Sequence, residues 1–116
     1  MIKLYGYKKC STCRKAEKSL EEKGAQFEFI DITLAPPNQK TLKEIITNSE
    51  KPIEKFYNTS GIKYKELDIK TKRKTLNQRE QIKLLSSNGY LLKRPIVTNG
   101  KQVTVGFKEE EFTAVW

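Results

Sequence analysis

A chain of 116 residues is long enough for one compact domain and too short for two, so residues 1–116 are expected to form a single domain with a sizeable core. Hydrophobic residues make up 36% and charged residues 32%, the balance of a soluble globular protein, and no apolar run approaches the ~18–20 residues of a membrane span. Lys and Arg number 23 against 14 Asp and Glu, for a net charge of +9, and histidine is absent, which excludes Ser-His-Asp and Cys-His nucleophilic sites and histidine-based zinc motifs.

Two cysteines fall short of the four ligands of a closed zinc site, so neither metal nor cofactor is expected. Met1-Ile2-Lys3-Leu4-Tyr5 lacks the apolar region of a secretory signal. The expectation is a cytoplasmic protein, where paired cysteines are more often catalytic, sensory or metal-binding than structural. The densest basic run, Lys70, Lys72, Arg73 and Lys74, has no interleaved aromatics to stack bases. Direct nucleic-acid binding is therefore not expected, and the charge reads as solvated helix faces.

Along the chain, Ile2–Tyr7 reads as a first strand. From Ser11 to Lys23 the pattern is helical, with Cys13, Ala16 and Leu20 at intervals of three and four and Gly24 as C-terminal stop. Phe27 to Asp31 reads as a second strand, and a crossover this short implies a parallel, right-handed βαβ unit. Ala35-Pro36-Pro37-Asn38 is a turn, and a helix is expected from Thr41 through Leu42, Ile45 and Ile46. Pro52–Leu85 lacks strand character. It suits short helices and a longer one near Asn77–Leu85, closed by Ser86-Ser87-Asn88-Gly89. Ile96–Thr98 and Gln102–Val105 are β-prone and flank Asn99-Gly100-Lys101, a hairpin signal. Glu109–Val115 reads as a closing helix with Phe112 and Trp116 turned inward. This order gives an α/β fold: a four-stranded mixed sheet flanked by helices, with a helical insertion before the C-terminal hairpin. It is the layout of a thioredoxin-like domain.

Cys10-Ser11-Thr12-Cys13 lies at the junction of the first strand and the first helix. Helical residues three apart share a face, so the two sulfurs can meet. The positive helix start and its free N–H groups favour the thiolate, which is the nucleophile. Lys8, Lys9, Arg14 and Lys15 add positive charge around it. Cys10, at the more exposed end, is expected to attack, and Cys13, one turn inside, to resolve the mixed disulfide. A pair of inert core cysteines and half of an intermolecular metal site are the alternatives. Arg94-Pro95 opens the third strand. In thioredoxin-like folds such a proline is commonly cis and lies against the cysteines, placing Arg94 toward the thiolate as a bidentate anion ligand. Arg94, Pro95 and Arg14 are the candidate substrate-binding residues.

Cys10-Ser11-Thr12-Cys13-Arg14-Lys15-Ala16 and Leu92-Lys93-Arg94-Pro95-Ile96, with Asn58-Thr59-Ser60-Gly61 and Val105-Gly106-Phe107, resemble the arsenate reductase (ArsC)/Spx family over essentially the full chain. The resemblance implies that Cys10 is the nucleophile and Arg94 the anion-binding arginine beside a cis proline. Of the three oxyanion-binding arginines of glutaredoxin-linked arsenate reductases only Arg94 is matched. Asn58 and Phe107-Lys108 stand at the other two places, and those enzymes lack a counterpart of Cys13. Spx-type regulators share the two-cysteine switch and bind the RNA polymerase α subunit, but carry a glycine where this chain reads Pro52 and continue into a basic tail. The expected function is a monomeric, arsenate-reductase-like thiol–disulfide oxidoreductase. Its disulfide would be recycled by glutaredoxin, thioredoxin or a small thiol. A redox-sensing, polymerase-binding regulator and a true arsenate reductase are the alternatives.

Overall fold

The computed structural model describes residues 1–116. Strand β1 (Ile2–Gly6) leads through Tyr7–Cys10 into helix α1 (Ser11–Glu22), and β2 (Phe27–Asp31) returns parallel to β1, pairing Ile2 with Phe27 and Gly6 with Asp31. The end of α1 is fixed by backbone chemistry. Gly24 takes a φ of 69°, its N–H donates to the Glu21 carbonyl and that of Ala25 to the Leu20 carbonyl, which closes the last turn. The helix thus ends one residue earlier than its periodicity indicates, with Lys23 as the capping residue.

Helix α2 (Gln39–Ser49) begins two residues before Thr41, because the Asn38 side chain accepts the Thr41 N–H at 2.8 Å and caps the first turn. The insertion then runs as a 3-10 turn (Ile53–Phe56), α3 (Ile62–Glu66), α4 (Ile69–Lys72), a 3-10 turn (Arg73–Thr75), α5 (Gln78–Ser87) and a last 3-10 turn (Gly89–Leu91). The hairpin pairs β3 (Ile96–Thr98) with β4 (Val103–Val105). Gln102 belongs to the connection rather than the strand, since its N–H and that of Lys101 both donate to the Asn99 Oδ1. Helix α6 (Glu109–Val115) closes the chain.

The sheet order is β2-β1-β3-β4, with β1 antiparallel to β3 and β3 to β4. This is the mixed four-stranded sheet anticipated from the element order. Successive strand side chains point to opposite faces, so each central strand feeds two cores. Tyr5 and Ile96 join a large cluster with Leu42, Ile45, Phe56, Ile82 and Leu85 beneath α2, α5 and the insertion. Leu4 and Val97 join a smaller one with Ala16, Leu20 and Phe112 beneath α1 and α6. Phe112 is buried as anticipated, and the Trp116 indole packs near it and donates to the Thr104 hydroxyl at 2.9 Å. No helix is long and apolar enough to cross a membrane.

Candidate active site at the start of α1

Cys10 is the N-cap of α1, with extended backbone angles (φ −83°, ψ 119°), and its Sγ accepts the Cys13 backbone N–H at 3.4 Å. This is the position at which a side-chain acceptor satisfies an otherwise free helical N–H. Here sulfur does what Ser or Asp usually does. Cys10 is partly exposed, whereas Cys13, one turn on, is fully buried and its Sγ receives the Tyr7 N–H at 3.5 Å. Both cysteines are free thiols. Gly6 makes room for Cys13, since a Cβ there would stand 3.0 Å from the Cys13 sulfur and 2.9 Å from Leu4 Cδ2.

The two sulfurs have opposite acidities. Partial burial works against ionisation of Cys10, but hydrogen bonds from the Cys13 thiol and N–H, together with the hydrogen bond and charge of Arg94, outweigh it and hold the thiol below its ordinary value. Cys13 is pushed up to about 12, first by burial and then by the hydrogen bond its thiol donates to Cys10, whose charge adds to the effect. One thiol is primed and its neighbour stays protonated.

Arg94 precedes Pro95 across a cis peptide bond, and Pro95 is buried at the entrance of β3, where its carbonyl accepts the Gly106 N–H at 2.8 Å. The guanidinium lies over the Tyr7 ring, 5.4 Å from its centroid, and its Nη1 is buried with no hydrogen-bond partner. A buried donor without a partner is costly, so this nitrogen is available to an anion formed or bound at the cysteine. The segment before it is held in place by the insertion. Asn58 N–H donates to the Leu91 carbonyl at 2.8 Å and Lys93 N–H to the Phe56 carbonyl at 2.7 Å, which draws residues 58–63 alongside Arg94. Asn58, Ser60, Ile62, Lys63, Tyr90 and Arg94 line a cleft of about 520 Å³.

The structure therefore brings Cys10, Cys13 and Arg94 together, with Pro95 next in the chain. Arg14 stands exposed on α1, as does Lys15, and neither contributes to the acidity of Cys10. The Lys8 ammonium is held 2.9 Å from Glu17 and lies over the Phe29 ring. Local positive charge on the sulfur thus comes from Arg94 rather than from the flanking lysines. Sequence reading passed over Tyr7, which carries both the Arg94 platform and a hydrogen bond to Cys13. An aromatic residue three positions before Cys10 was the available signal. Tyr90, which meets Tyr7 edge-on at 6.4 Å, and Lys63 were also missed, because only the fold brings them near.

A β2-β1-β3-β4 sheet with a Cys-x-x-Cys pair at the start of α1 and a cis proline opening β3 defines a thioredoxin-like protein. The chain belongs to the ArsC family, whose model matches residues 5–115. It is 47% identical over 115 residues to YusI of Bacillus subtilis (strain 168), covering 99% of this chain and 98% of that one. It is 32% identical over 114 residues to the global transcriptional regulator Spx of Streptococcus mutans, covering 98% of this chain and 82% of the regulator. Among solved structures, an ArsC family related protein from Bacteroides fragilis superposes with a TM-score of 0.93 at 42% identity, over 99% of this chain and 97% of that one.

Proposed function

We propose that the protein is a thiol–disulfide oxidoreductase in which Cys10 is the nucleophile and Cys13 the resolving thiol. The observation that carries this reading is the split environment of the pair: Cys10 Sγ as helix cap beside Arg94, Cys13 sealed behind it. The Cys10 thiolate attacks one sulfur of a partner disulfide, and the other sulfur leaves as a thiolate that takes up a proton. Joining Cys10 to the partner abolishes its negative charge, which is one of the causes holding Cys13 protonated. Cys13 then loses its proton and attacks the Cys10 sulfur, the second partner thiolate departs, and a Cys10–Cys13 disulfide remains. Two electrons have passed to the partner. A glutaredoxin, a thioredoxin or a small thiol restores the dithiol in the cytoplasm, with the protein acting as a monomer.

Thiol trapping across a glutathione redox series tests this. The expected result is a Cys10–Cys13 disulfide within the physiological range, and a Cys13→Ser variant that accumulates a mixed disulfide at Cys10. Failure of the two sulfurs to join at any potential ends the proposal.

The match to Spx regulators supports a second reading, in which the same disulfide is a sensor and the protein binds the RNA polymerase α subunit. A pull-down with that subunit under reducing and oxidising conditions separates the two, and binding in neither state removes the regulator. Arsenate reduction is the less favoured third use of the site. Asn58 lines the cleft but brings no charge, so Arg94 lacks a second planar cation for an oxyanion. Absence of arsenate-dependent turnover with a glutaredoxin or thioredoxin system disposes of it.

A further inference from the structure

Away from Cys10, the first turns of α2 and α5 face each other across a groove of about 480 Å³. Its walls are Gln39, Lys40 and Lys43 from α2 and Gln78, Arg79 and Ile82 from α5, the first, second and fifth residues of each helix. The two helices therefore begin side by side, with their positive ends at one place. Lys83 stands in an adjoining hollow that shares Gln39 and Arg79 with the groove and is also lined by Asn77 and Glu80.

The charge is unanswered. The chain's ion pairs engage Lys8, Lys18, Lys51, Lys63 and Arg73, and leave Lys40, Lys43, Arg79 and Lys83 exposed without a carboxylate. Glu80, the nearest acidic group on α5, is occupied in a capping box: it accepts the Asn77 N–H at 3.0 Å, and its own N–H donates to the Asn77 side chain. Glu44 of α2 lines a different hollow, with Met1 and Asn99. The floor is Ile82, buried, flanked by the aliphatic stems of the basic side chains. No aromatic residue lines the groove.

We infer that the α2–α5 groove is a docking surface for an acidic, amphipathic helix of a partner protein. An apolar ridge would rest on Ile82 and the lysine stems, while carboxylates on either side meet Lys40, Lys43, Arg79 and Lys83. A nucleic-acid backbone matches the charge but not the apolar floor, and it finds no stacking surface here. The groove shares no lining residue with the cleft beside Arg94, so docking leaves Cys10 chemistry open.

The test is fluorescence anisotropy of the full chain with a labelled helical peptide of about 18 residues, leucines on one face and glutamates elsewhere. The expected result is saturable binding that weakens with salt and falls about tenfold or more in a Lys40→Glu, Lys43→Glu, Arg79→Glu variant. A second variant with the same charge change elsewhere, Lys65→Glu, Lys70→Glu, Lys74→Glu, retains binding. Both variants keep the wild-type rate of Cys10 alkylation, which shows that they are folded. Equal losses in the two variants would overturn the proposal by reducing the effect to net charge. So would the absence of binding at low salt, or tighter binding of a DNA duplex through the same three residues.

Discussion

At the residue scale, the site rests on two sulfurs three positions apart being made unlike. Cys10 lies below the ordinary thiol value because the donors around its sulfur outweigh its burial. Its alkylation rate by iodoacetamide should therefore rise with pH and level off below the ~8.5 of a free cysteine. Arg94→Gln removes a cation and a donor but retains an amide, so the inflection should move up and the rate at pH 7 should fall. A profile unchanged by that substitution would show that the Cys13 thiol and backbone N–H set the acidity without Arg94. The Cys10–Cys13 pair was legible because its chemistry is written in adjacent positions. The contribution of Lys8 was misjudged for a related reason: sequence shows which charges are near in the chain, not that Glu17 and Phe29 hold this one elsewhere.

At the scale of elements, helix ends carry much of the specification. Asn77 caps α5 in a reciprocal arrangement with Glu80, and Asn77→Ala should lower stability by about 1 kcal/mol in a urea titration. Two glycines separate steric from conformational constraint. Gly24 has a positive φ but open space around it, so Gly24→Ala should cost about 1 kcal/mol. At Gly89 a Cβ would overlap the Ile32 carbonyl, and Gly89→Ala should cost well above ~2 kcal/mol or prevent folding. Comparable losses at both positions would refute this assignment. The hairpin was readable from Asn99-Gly100 and the first helix from its apolar spacing. The insertion was readable only as "helical": α3, α4 and the turns around them are each a few residues long, too short for a period to establish itself. The cleft escaped the sequence for a different reason, since it depends on the Tyr57–Leu92 bridge between distant segments.

For the whole molecule, the titrating groups sealed in the interior define an alkaline limit. Burial, with Glu54 and Tyr64 adding to it against the opposing Arg73, raises Tyr57 from 10.0 to about 12, and Cys13 is raised from 9.0 to about 12. Both bind their protons more firmly folded than unfolded. Their stabilising contribution is fully present below the unfolded values, 9.0 and 10.0, and is lost as pH rises toward about 12. Cys10 is held below 9.0 in the fold, so around that pH the proton its thiol still binds in the unfolded chain offsets part of the loss from Cys13; well above it Cys10 is ionised in both states and adds no slope. Urea midpoints should therefore decline from about pH 9 upward, and Cys13→Ala should begin its decline later. The sheet separates two unequal hydrophobic clusters, one of fifteen buried residues beneath α2, α5 and the insertion and one of five on the other face.

That inequality has an optical counterpart. The chain's one tryptophan sits on the smaller side, its indole tied to Thr104 and tilted against Phe112. Its ultraviolet emission is thus an intrinsic gauge of whether α6 remains seated. Five tyrosines absorb without distinguishing one face from the other, so a shift in indole colour that precedes loss of the far-ultraviolet helix signal marks the peeling of a single layer.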